Sequence, residues 1–68
     1  MDSRYVEFVQ DVLITIHQNI QELNERRGFA DPEELSYIEG KLLAYTEMIA
    51  ILRTSAVEFG IDRKAIGL

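Results

Sequence analysis

The chain has 68 residues, twelve acidic and seven basic, for a formal charge of −5, and 47% of them are hydrophobic. This is a folding composition, and the lack of cysteine excludes a disulfide scaffold, a thiolate zinc site and a cysteine nucleophile. Nucleic acid is not an expected partner, because phosphate binding needs a basic face and this chain is acidic.

The opening Met-Asp-Ser-Arg-Tyr-Val-Glu has no basic region leading into an apolar one, so no targeting segment is expected. The longest apolar run, Met48 to Leu52, falls far short of the roughly 20 residues that a membrane helix needs. No membrane association is expected, and the default setting is a reducing compartment, the cytoplasm of a bacterium or phage host. The length suits one small domain over residues 1–68, whose single core is marginal alone.

The first predicted element is a helix over about 4–27. Val6, Val9, Leu13, Ile16, Ile20 and Leu23 recur with spacing 3-4-3-4-3, an a/d heptad seam. The β-branched run Val12, Ile14, Thr15, Ile16 lowers helix propensity slightly, but packing along a seam outweighs it. A tight loop follows. Gly28 is the expected stop, in positive φ. Asp31 offers an N-cap, Pro32 fits the first helical position, and Glu34 completes a capping box.

The second predicted helix covers about 32–59. Leu35, Ile38, Leu42, Tyr45, Ile49, Leu52, Ala56 and Phe59 continue the same 3-4 alternation. Gly60 should end it, and Asp62 should cap one short turn through Arg63, Lys64 and Ala65. Folding the chain back at the loop pairs seam residues whose numbers sum to 58. Ile16 then meets Leu42, and Leu13 meets Tyr45. The expected fold is all-α, an antiparallel two-helix hairpin with a short C-terminal turn.

Each helix carries more apolar surface than one seam uses, about half its circumference at 100° per residue. A lone hairpin exposes this surplus as a patch that monomers rarely tolerate. The expectation is a homodimer, two hairpins forming a four-helix bundle. Its interface would use Tyr5, Phe8, Val12, Tyr37, Gly40, Ala44, Met48, Ile51 and Phe59. Gly40 and Ala44 form a small-x-x-x-small pair where another helix can approach closely. The competing cover is the tail itself, folding back with Ile61, Ile66 and Leu68.

The layout resembles that of Rop-type dimers, in which each chain is one helical hairpin. Those proteins bind RNA through a basic face, which is absent here. It also resembles the helical-hairpin phosphatases of the sporulation phosphorelay. Their second helix carries Ser-Gln-Glu-Leu-Asp, and Ser36-Tyr37-Ile38-Glu39-Gly40 matches only its serine.

Catalytic candidates are few. His17 has no acidic residue arranged to orient it, so it reads as a boundary histidine. Glu7 with Asp11, and Glu22 with Glu25, read as a solvated acidic face, since the Glu-x-x-His motif of two-metal bundles is absent. No cofactor or metal is expected. Arg26 can pair with Glu22 one turn away, and with Arg27 it suits a helix C-terminus. Arg63 and Lys64 are the other basic pair. Tyr45 sits in a core layer, so its hydroxyl must reach a partner or the surface. Tyr37 either pairs with Lys41 or anchors an interface. These readings converge on a small acidic, non-enzymatic protein–protein interaction module, a regulator or adaptor acting as a homodimer with a further protein partner. The alternative is an inhibitor whose acidic face occupies a basic, nucleic-acid-binding surface on its partner.

Overall fold

The computed structural model describes residues 2–68. Three helices follow one another: α1 (Ser3–Arg27), α2 (Pro32–Glu58) and α3 (Arg63–Ile66). The two long helices form the hairpin, and their bounds fall within one residue of the heptad reading. Asp2 caps α1, its Oδ1 accepting from the Arg4 N–H at 2.9 Å. Asp31 caps α2 through the Glu34 N–H at 2.8 Å, with Pro32 in the first turn.

Two details of the loop differ from expectation. Gly28 has φ −69° and ψ −16°, ordinary right-handed values, so no left-handed residue terminates α1. The last turn tightens instead: the Gly28 N–H donates to the Glu25 carbonyl at 3.4 Å and Phe29 to Arg26 at 3.1 Å. These three-residue bonds satisfy orphan carbonyls without positive φ. The capping box is also only half formed. Glu34 turns away from the cap and accepts from Arg26 Nη2 at 2.8 Å, which replaces the expected Arg26–Glu22 pair. The full charge on the facing helix is a stronger partner than a backbone amide at the cap.

Gly60 behaves as read. Its φ is +65°, the Ile61 N–H reaches the Ala56 carbonyl at 2.8 Å, and the Gly60 N–H reaches Val57 at 3.1 Å. This is a Schellman motif, which reverses the chain and sends it back over the hairpin. Asp62 then caps α3 through the Lys64 N–H at 3.0 Å.

The seams are the core. Leu13, Ile16 and Leu23 of α1 and Ile38, Ile49 and Ala56 of α2 are buried. The remaining seam residues are half-buried, except Phe59 at the open end, which is exposed. Ile66 of α3 joins the core. The Cα envelope measures 44 × 20 × 13 Å, the proportions of a slab. Two helices side by side make one layer, whereas stable domains stack at least two.

Candidate interaction surface

Three cross-helix features define which side chains share a face. Arg26 pairs with Glu34, and Asn19 Nδ2 donates to Tyr45 Oη at 3.1 Å. Asn19, Glu22, Arg26, Lys41 and Tyr45 together line one polar recess. Now Tyr5, Val12, Asn19 and Arg26 are spaced seven residues apart on α1, and so are Glu34, Lys41 and Met48 on α2. Seven residues fall only about 20° short of two full turns. Each series is therefore a line along its helix, and the two lines border the same groove.

The face has two halves. Toward the loop it is charged and polar, carrying the recess just described. Toward the open end it is apolar. Tyr5, Phe8 and Val12 come from α1, and Ala44, Met48 and Ile51 from α2. Exposure runs from 39% at Val12 and 44% at Met48 to 66% at Phe8 and Ile51. Tyr37 lies farther toward the loop, with Lys41 Nζ 5.2 Å from its ring centroid, so the expected pairing is formed. Gly40 lies on the same line of α2 as Ala44 and Ile51, within about 20° of Ile51 eleven residues on, and a Cβ added there would meet nothing within 4 Å.

The tail does fold back, but elsewhere. Gln10 Nε2 donates to the Ala65 carbonyl at 2.7 Å, and a Cβ at Gly67 would lie 3.9 Å from Leu13. Ile66 closes the open end beside Val9, Leu52 and Ala56. Phe8 and Val12 stand two residues either side of Gln10, so they point about 160° away from it. With α3 seated, the Tyr5, Phe8 and Val12 side chains stay exposed. Phe59 borders a second recess with Val6, Ile61 and Ile66 yet remains 80% exposed.

His17, Glu7 and Asp11 are all exposed on α1. Among the described residues, no group of three or more His, Cys, Asp or Glu side chains is placed to hold a metal ion. Among the described residues, no helix is long and apolar enough to cross a membrane. Gln10 and Asn19 were not singled out by the sequence. Each is an ordinary flank residue until its partner, 55 or 26 positions away, is brought to it. Comparison with protein families, curated proteins and solved structures finds no match to this chain.

Proposed function

We propose that this protein is a small acidic protein–protein interaction module, without enzymatic activity of its own, that works as a homodimeric helical bundle. The observation that carries the reading is the exposed apolar half-face of Tyr5, Phe8, Val12, Ala44, Met48 and Ile51, which α3 leaves uncovered. Monomers rarely expose so many large apolar groups contiguously.

The surface area supports a second copy as the cover. The chain exposes 5290 Å². A compact monomer of 7.8 kDa exposes about 4,400 Å², so the excess is about 900 Å². One side of a standard protein interface buries about 800 Å². Stacking two slabs face to face also supplies the second layer that one hairpin lacks.

Sedimentation equilibrium tests the reading. The expected mass at high micromolar concentration is twice the chain's 7.8 kDa. Ile51→Glu should return it to the monomer mass, because an unpaired carboxylate would be buried in the interface. A folded wild-type monomer at that concentration overturns the proposal.

A further inference from the structure

The two halves of the exposed face constrain how a second copy can sit on it. We propose that the chains of the dimer pack with both loops at the same end, related by a two-fold axis running along the helices. This inference rests on the homodimer reading above.

The argument is one of level along the hairpin. Measured from the loop, Tyr5, Phe8, Val12, Ala44, Met48 and Ile51 occupy the far half. Asn19, Glu22, Arg26, Glu34 and Lys41 occupy the near half. A two-fold axis along the helices keeps every residue at its own level. It lays α1 of one chain against α2 of the other. The aromatic cluster Tyr5, Phe8 then faces Met48 and Ile51 of the second copy, apolar against apolar. The other two-fold axis that stacks the faces lies in the plane between them and crosses the helices at right angles; it reverses the levels. It would press the apolar half of each chain onto the charged half of the other and strand Glu22, Arg26 and Lys41 against hydrocarbon.

The near half is complementary in the same arrangement. Glu22 lies on α1 and Lys41 on α2, in the same recess, and among the described residues neither is in an ion pair. Side chains lean toward the N-terminus of their own helix. In antiparallel neighbours at common levels, Glu22 therefore leans away from the loop and Lys41 leans toward it, so the two approach. Two symmetric Glu22–Lys41 contacts form between the copies.

A spin label at Phe29→Cys reads the orientation, since the chain has no other cysteine and Phe29 is exposed at the loop. Loops at the same end give an inter-chain distance below about 30 Å. Loops at opposite ends give about 40 Å or more, from roughly 26 residues at 1.5 Å each. The longer distance with a dimer mass overturns the orientation and leaves the homodimer standing. A monomer mass with no inter-chain distance overturns both. Mixing Glu22→Lys chains with Lys41→Glu chains gives a second readout. Each variant alone should associate several-fold more weakly than wild type, and the mixture should form heterodimers in preference to either homodimer. Mixing leaves contacts within each chain unchanged, so equal association of all three species would also overturn the orientation.

Discussion

Asn19 and Tyr45 join the two long helices through a hydrogen bond of 3.1 Å from the amide nitrogen to the phenol oxygen. Under the pairing that sums to 58, Tyr45 lies level with Leu13, six residues from Asn19. The lean of side chains toward their own N-termini closes that gap, because in an antiparallel pair the two lean toward each other. A tyrosine can thus fill a core layer while its hydroxyl reaches the polar flank.

Tyr45→Phe should lower stability by no more than about 1 kcal/mol, the net worth of one hydrogen bond that water can replace. Tyr45→Ala should cost about 3 kcal/mol or more, because the ring leaves the seam. Urea denaturation of both variants checks the order. Equal losses would mean that the ring contributes nothing to the core.

Ile38 is fully buried and should be among the costliest positions in the chain. Ile38→Ala should destabilise by about 2–5 kcal/mol, a large share of what so small a domain possesses. Leu43→Ala, on the exposed outer side of α2, should change stability by less than about 0.5 kcal/mol. Thermal melting of the pair at one protein concentration separates seam from surface.

The two loop glycines should respond in opposite directions. Gly28 has right-handed φ, and an added Cβ would meet only the Glu25 carbonyl at 3.7 Å, an ordinary contact. Gly28→Ala should therefore raise stability by about 0.4–1 kcal/mol through the unfolded state. Gly60 sits at φ +65°, so Gly60→Ala should cost about 1–2 kcal/mol. Chemical denaturation midpoints for both variants test the sign at each site.

The seat of α3 should be removable without loss of the hairpin. Ile66→Asp places a carboxylate against Val9, Leu52 and Ala56 and should release the tail. The expected outcome in amide hydrogen exchange is loss of protection at Leu68, whose N–H bonds the Arg63 carbonyl, with α1 and α2 amides still protected. Loss of protection throughout would make α3 part of the hairpin's own cooperative unit.

Sequence periodicity was enough to determine the helices, their caps at Asp31 and Asp62, the turn at Gly60 and the buried stripe from Val6 to Ala56. All of these depend on residues within a few positions of one another, where the helical repeat and the turn chemistry act directly. The surplus apolar groups Tyr5, Phe8, Val12, Met48 and Ile51 were legible for the same reason, as positions beside the seam. Tertiary structure decided the rest. Glu34 leaves its cap for Arg26 because the loop brings the facing helix within reach, and Gly28 keeps negative φ because three-residue bonds close the turn without it. Whether the tail or an open surface meets the Phe8 side depended on Gln10 finding the Ala65 carbonyl across 55 residues. A long-range bond of that kind leaves no period in the sequence, because its partners stand 55 residues apart and meet only once the chain has turned back at Gly60.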